Sequence, residues 1–389
     1  MTETNLTSLS AKNVDADLIP ELTRRQKSLG EIILKRELDA VLVIGNSVVG
    51  PPAMGSFRYY TGHRVYYHYQ AIIARPDKPL LVCCGSVLGR KTLIERGFED
   101  IRVSPDIFGS VMTALSEQPI KRLGVSMDSL PSLWYRGLEK KGISFVDVTD
   151  DIFAVRNERS EFEVFAIREC AKMADAGYKA VCDMAKPGVR MSDLHTELDY
   201  AMKREGAEET FTLMSNGRFS FVNNRLPMIK AFSSSDDRVV RDGDSIAMEI
   251  TPKYLGYWTQ MVRTVCVGEP NPDLETMHKT QLETMNATVP LLKPGMKLGE
   301  VLSHMWHYGS NLGYECRMPF GHIVGIDLDE GGRASLESDV ILKEYMNFVL
   351  HPTLVMGNND FGFFWGDPYF VTENGGERLT KSSTELQIL

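Results

Sequence analysis

Three residues in the later part of the chain, Glu249, His322 and His351, carry groups that move protons or bind metal ions. Glu249 sits in an alternating run, with Ile246 and Met248 on one side and Ala247 and Glu249 on the other, which reads as a strand. His322 lies in Phe320-Gly-His-Ile-Val-Gly325, where close backbone packing at glycine leaves the imidazole aimed at a cavity. His351 precedes Pro352, which favours extended backbone. Imidazole titrates near neutral pH without a large shift, so two imidazoles beside one carboxylate can share acid–base work. Two His and one carboxylate are also a donor set for a single Zn or Fe(II) ion with positions open to water or substrate. Plainer readings stand beside these: a glutamate facing solvent and a structural histidine before a proline.

A second concentration of polar aromatics is Phe57-Arg-Tyr-Tyr-Thr-Gly-His-Arg-Val-Tyr-Tyr-His-Tyr69. It is either a packing layer or part of a pocket. Phe361-Gly-Phe-Phe-Trp365 is the other aromatic run, and together they suggest a small, apolar-lined pocket that tolerates some positive charge. Arg58, Arg64 or Arg317 could pair bidentately with a substrate carboxylate, whereas Arg263 reads as a fold-supporting ion-pair partner. His304 and His307 are three apart on a helical pattern, so they share a face, and exposure is the favoured reading.

These residues need elements to position them. Pro20 to Lys35 has helical apolar spacing at Leu22, Leu29, Ile32 and Ile33. Strands are expected at Asp39–Ile44, Tyr69–Ala74, Leu80–Cys84, Leu123–Ser126 and Phe145–Val148, interleaved with helices, which implies an α/β domain. The turn Arg75-Pro-Asp-Lys-Pro79 between two of them implies a mixed sheet. A boundary is expected near Phe153–Ser160. Ser160 with Glu163 then fits a capping box opening a long helix whose buried face carries Phe162, Phe165, Ala166, Cys170 and Met173. Beyond it lies an internal repeat: Ala185-Lys-Pro-Gly-Val-Arg-Met-Ser-Asp-Leu194 resembles Leu292-Lys-Pro-Gly-Met-Lys-Leu-Gly-Glu-Val301. Pro-Gly makes each turn, and Ser192 or its counterpart starts the next helix.

The 389 residues suffice for two cores, and 43% hydrophobic with 24% charged residues fits a globular protein. No apolar run is long enough to span a bilayer. A net charge of -9 spread along the chain argues against nucleic-acid binding. Met1–Asp17 is polar, lacks the layout of a secretory signal and reads as a frayed tail. Six scattered cysteines without a C-x-x-C pair read as buried free thiols in a reducing cytoplasm.

Gly256-Tyr257 and Arg263-Thr264, Phe320-Gly-His-Ile-Val-Gly325, Asn347–Pro352, and Gly366-Asp-Pro-Tyr-Phe-Val-Thr-Glu-Asn-Gly375 followed by Leu379-Thr380 resemble motifs of the creatinase / aminopeptidase P / prolidase family. The resemblance covers about residues 160–385 and, more weakly, 18–150. It implies a tail over 1–17, a creatinase-like α/β domain with a mixed sheet over 18–155, and a pita-bread α+β catalytic domain with a pseudo-twofold repeat over 156–389. The positions where that family binds two metal ions read Glu249, Gln260, His322, His351 and Gly366. A two-metal site needs bridging carboxylates, and Gln260 and Gly366 supply none.

The pattern is most similar to metal-independent members, ectoine hydrolase and creatinase. It implies no cofactor, with Glu249 as nucleophile or general base and His322 or His351 as proton shuttle. It further implies substrate contacts from Arg64, Tyr66, Tyr67, His68, Tyr257, Trp365 and Asp367, and a cytoplasmic homodimer. Creatinase carries a catalytic histidine in the stretch matching Met228–Ser235, which has none here, and Val262 stands where it has a catalytic Glu. The expected function is hydrolysis of a C–N bond in a small amino-acid-like amide, amidine or cyclic amidine. The alternatives are an Xaa-Pro peptidase or lyase with one Zn or Fe ion at Glu249, His322 and His351, and a silent ligand-binding member.

Overall fold

In the computed structural model, which describes residues 14–46, 55–65, 69–76, 78–217, 238–270, 272–317, 320–331, 334–355 and 362–389, the first helix runs Val14–Arg36. Pro20 lies inside it rather than at its start. Of the stretch expected as a tail over 1–17, residues 14–17 are helical and residues 1–13 lie outside the described residues; Leu18 is buried with Leu22, Leu29, Ile32 and Ile33 on one face.

The chain divides into two units, Met1–Phe165 with Ile326–Gly331, and Ala166–Gly325 with Gly332–Leu389. In the first unit the strands are β1 Ala40–Asn46, β2 Tyr69–Ala74, β3 Leu81–Cys84, β4 Asp100–Val103, β5 Arg122–Val125 and β6 Ser144–Asp147. They form a sheet in the order β4-β3-β2-β1-β5-β6. The pairs β1/β2 and β2/β3 are antiparallel and the others parallel, so the sheet is mixed as the turn after β2 implied. Helices Ile107–Ser116 and Ser132–Glu139 bury Val111, Leu115, Trp134 and Leu138 against Leu42, Ile73, Leu81 and Leu123.

By its contacts the first unit runs to Phe165 and takes in Ile326–Gly331. A buried charge network joins that segment to the polar stretch expected at the boundary. Arg156 donates to Asp327 Oδ2 at 2.6 Å and to Glu330 Oε1, and Arg159 donates to Glu330 Oε2 at 2.6 Å. Burial alone would raise the Glu330 carboxyl, but Arg156 and Arg159 outweigh it and hold it at about 2. Ser160 and Glu163 form the expected capping box, with Ser160 N–H donating to Glu163 Oε2 at 2.8 Å and Glu163 N–H to Ser160 Oγ at 3.3 Å. The helix it opens runs Glu161–Met184. Phe162, Ala166, Cys170 and Met173 are buried as expected, while Phe165 is only half-buried and Val164 and Ile167 fill the face instead.

The second unit shows the repeat as structure. After each Lys-Pro-Gly turn the glycine has positive φ, +94° at Gly188 and +86° at Gly295. Gly188 N–H donates to Val240 O and Gly295 N–H to Leu342 O, both at 2.9 Å. Helices Met191–Arg204 and Leu298–Asn311 follow, capped by Arg190 and Lys297 rather than begun by Ser192. Both caps make matching antiparallel bridges, Arg190 to Val239 and Lys297 to Ile341. One half lays Glu161–Met184 and Met191–Arg204 over β7 Glu209–Gly217, β8 Ser245–Tyr254, β9 Tyr257–Trp258 and β10 Met261–Cys266. The other lays Pro272–Thr288 and Leu298–Asn311 over β11 Glu315–Arg317, β12 Gly321–Ile323, β13 Asn347–Leu350, β14 Thr353–Val355, β15 Gly362–Phe364, β16 Asp367–Thr372 and β17 Gly375–Arg378. β18 Gln387–Ile388 joins β10 in parallel. Cys83, Cys84, Cys170, Cys266 and Cys316 are buried free thiols, and Cys182 is half-buried and free.

Removing one partner of a buried ion pair leaves an uncompensated charge, which typically lowers stability by about 3–5 kcal/mol. Glu330→Gln should therefore reduce the urea-unfolding free energy by roughly that amount at pH 7. The Glu330 contribution is complete above its ordinary value of 4.5 and fades as pH falls towards about 2. The gap between wild type and variant should narrow over that interval.

Candidate active site

Glu249 is placed by the central hairpin of the second unit. β8 lies between β7 and β10, with Glu249 opposite Leu213 on one side and Val262 on the other. The turn into β9 uses Leu255 and Gly256, both at positive φ, 50° and 92°, the backbone of a type I′ hairpin. Alternation sends Ile246, Met248 and Ile250 into the core under the helices, and leaves Ala247 and Glu249 on the opposite face. That face is apolar too: Leu213, Ala247, Val262 and Phe364 cluster there with Phe211 packed against them. Glu249 does not lie on an open solvent face. Burial pushes its carboxyl up to about 7, opposed only in part by a hydrogen bond from Gln260.

Gln260 links the carboxylate to an imidazole. It is buried between β9 and β10, and its Oε1 lies 2.8 Å from His322 Nε2. With the Gln260 amide N–H₂ given to Glu249, Oε1 must accept, so Nε2 of His322 carries the hydrogen and Nδ1 holds the lone pair. His322 comes from β12, opposite Val349 of β13. His351 follows β13, and its N–H donates to Phe320 O at 2.9 Å. The two imidazoles meet edge to face, centroids 5.2 Å apart, and the His351 ring also meets Phe364 at 5.2 Å. Burial and then the adjacent His322 hold His351 neutral down to about 3. An imidazole so depressed does not titrate near neutrality, so the shuttle role expected of either histidine does not suit His351.

Gly366 bridges Val262 by a reciprocal backbone pair, Val262 N–H to Gly366 O at 3.0 Å and Gly366 N–H to Val262 O at 3.1 Å. A Cβ at Gly366 would meet Leu350 O at 2.3 Å and the Cβ and Cα of His351 at 2.5 and 2.7 Å. Arg263 fastens this junction. It donates to Val262 O and Gly366 O, each at 2.8 Å, and to Asp367 Oδ1 at 2.7 Å, with its guanidinium 4.2 Å from the Trp365 ring centroid. Asp367 Oδ1 also accepts from Thr380 Oγ1. Asp367, expected to contact substrate, is fully buried, with Oδ1 held by Arg263 and Thr380 and Oδ2 3.6 Å from Arg378 Nη1. Tyr257 and Trp365 are likewise in the packed interior. Arg64 is exposed in the first unit. Tyr66, Tyr67, His68 and Met228–Ser235 lie outside the described residues, as does the Arg317 side chain. His304 and His307 are exposed. Sequence reasoning did not foresee Gln281, whose Nε2 donates to Pro352 O and Trp365 O, both at 2.8 Å, and so ties the chain beside His351 to the chain beside Gly366. A glutamine within a helical run carries no local signal for that role.

Two divalent ions roughly 3.5–4 Å apart need bridging carboxylates. Here Gln260 is a neutral amide already shared between Glu249 and His322, and Gly366 has neither a side chain nor room for one. Among the described residues no three His, Cys, Asp or Glu side chains gather as a metal-binding group. These residues do not fit the two-metal centre. No helix among the described residues is long and apolar enough to cross a membrane.

Residues 166–373 match metallopeptidase family M24, and residues 25–157 match the creatinase/prolidase N-terminal domain. The chain is similar to the uncharacterized peptidase YqhT of Bacillus subtilis, 25% identical over 304 residues, which cover 76% of this chain and 82% of that one. It is similar to an Xaa-Pro dipeptidase of Pyrococcus horikoshii, 29% identical over 273 residues, covering 69% and 75%. The crystal structure of the prolidase from Pyrococcus horikoshii superposes with a TM-score of 0.81 at 25% identity, covering 93% of this chain and 99% of that one.

Two stability effects follow from the geometry. Between 4.5 and about 7 the folded protein holds a proton on Glu249 that the unfolded chain has lost, so this group weakens the fold as pH rises through that window. Glu249→Gln should raise the melting temperature at pH 8 and change it little at pH 5. Gly366→Ala must displace backbone on β13 and should lower the melting temperature at both, by an amount typical of overpacking, about 1–3 kcal/mol.

Proposed function

Since the chain belongs to metallopeptidase family M24, with a creatinase/prolidase N-terminal domain, we propose that it hydrolyses a C–N bond in a small amino-acid-like amide, amidine or cyclic amidine, with Glu249 as general base and no two-metal centre. The observation that carries this reading is the Glu249 carboxyl, set on an apolar face and pushed up to about 7. A base near the working pH combines a useful ionised fraction with real affinity for a proton. Glu249 takes a proton from water while the water oxygen bonds to the amide or amidine carbon. The C–N bond then breaks, and the same proton reaches the departing nitrogen with the His322 imidazole as carrier. One water is consumed, and Glu249 and His322 end as they began. Gln260 holds both groups in register through its 2.8 Å contact with His322 Nε2 and its hydrogen bond to Glu249. A cytoplasmic homodimer belongs to the same proposal.

A second reading, cleavage of Xaa-Pro dipeptides with a bound metal, is favoured by the similarity to the Xaa-Pro dipeptidase of Pyrococcus horikoshii. Assays of Xaa-Pro dipeptides beside small linear amides and cyclic amidines, with and without a chelator, separate the two. Turnover of an amide or amidine that survives chelation is expected. Turnover confined to Xaa-Pro dipeptides and lost on chelation would replace this proposal with the second. Glu249→Gln should lower kcat/KM by at least about 10²-fold with the fold retained by circular dichroism. In the wild type kcat/KM should rise with pH along a limb centred at about 7, as Glu249 ionises.

A further inference from the structure

We propose that His351 holds the reacting end of the substrate through its imidazole and selects an amide group over a carboxylate there. The inference deepens the C–N hydrolase reading and rests on it for the identity of the reacting group. His351 is 2% exposed, yet neither Nδ1 nor Nε2 has a hydrogen-bond partner among the other described residues. Leaving a buried polar atom unmet typically costs about 1–3 kcal/mol.

The ring is not merely loosely placed. The backbone N–H of His351 is bonded to Phe320 O, the next carbonyl, Pro352 O, is held by Gln281, and the His351 Cα and Cβ fill the space beside Gly366. His322 and Phe364 meet the ring edge to face. A fixed, buried imidazole with no hydrogen bond to another described residue is prepared for a ligand. Phe364 also belongs to the apolar cluster on the face of Glu249, so imidazole and carboxylate border one dry patch.

The chemistry of that partner follows from the state of the ring. Buried against Phe364 and with no acidic partner, the ring as a neutral imidazole offers one N–H and one lone pair. An amide supplies the complements of both, an acceptor atom and an N–H. A carboxylate supplies acceptors only and would bring a charge into a patch where this ring cannot compensate it.

The test uses the full-length protein, with acetamide and acetate as isosteric probes of binding. Acetamide should perturb the ¹⁵N resonances of the His351 ring, and acetate should not. His351→Gln, which keeps a neutral donor and acceptor, should bind acetamide within a few-fold. His351→Leu should weaken that binding about tenfold, the worth of one net hydrogen bond. His351→Leu should also melt no lower than the wild type, because it removes unmet buried polar atoms, and this shows that the loss is not one of folding. Acetate binding equal to acetamide, no His351 response to any probe up to the solubility limit, or undiminished binding by His351→Leu would each overturn the assignment. Turnover lost in Glu249→Gln with probe binding unchanged in His351→Leu would sink this inference alone. Probe binding through His351 with no amide or amidine ever hydrolysed would sink only the hydrolase reading.

Discussion

The backbone bridge between Val262 and Gly366 fixes every other distance at the site. It ties β10, and through it the β8 strand that carries Glu249, to the chain segment that carries His351. Arg263 makes the bridge rigid by bonding to both carbonyls and to Asp367 while its guanidinium lies on Trp365. A buried arginine is retained only where its charge is met, and here the two carbonyls and the Asp367 carboxylate hold its Nη1 and Nη2. Gln281 closes the other side by bonding the carbonyls of Pro352 and Trp365. The close approach this enforces is the reason position 366 can have no side chain.

That constraint changes the electrostatics of the whole hairpin. Where the family sets carboxylates around metal ions, this chain has one half-buried carboxylate, one amide and two imidazoles. Burial dominates each group in its own direction: it raises Glu249 and lowers His351. The two shifts divide the labour. Glu249 is moved into the range where it can exchange a proton, and His351 is moved out of it. Gln260 keeps the division stable, since an amide can hold a carboxylate and an imidazole together without adding charge.

Much of the architecture is local in origin and so was readable from the residues. β2 spans Tyr69–Ala74 as expected, because Gly and Pro punctuation bounds a β-branched run. The two Lys-Pro-Gly turns declared the repeat because turn chemistry depends on a few neighbouring residues. The two-domain pita-bread architecture implied by the motifs is the one found. What was not readable depends on partners distant in sequence. The first unit takes in Ile326–Gly331, where Asp327 and Glu330, far along the chain, neutralise Arg156 and Arg159. Asp367 looked available as an isolated acid, but the register of β10 against Gly366 hands it to Arg263. Gln260 looked like a ligand position left vacant, and only the fold shows it bonded to His322.

The same reasoning explains why the fold tolerates groups that weaken it. A carboxyl raised to about 7 and an imidazole with two unmet nitrogens both oppose folding at neutral pH. They persist because the surrounding contacts over-determine their positions: three strands around Glu249, and the Phe320, Gln281 and Gly366 contacts around His351. A neutral polar ligand that met the two nitrogens of His351 would recover part of that energy on binding.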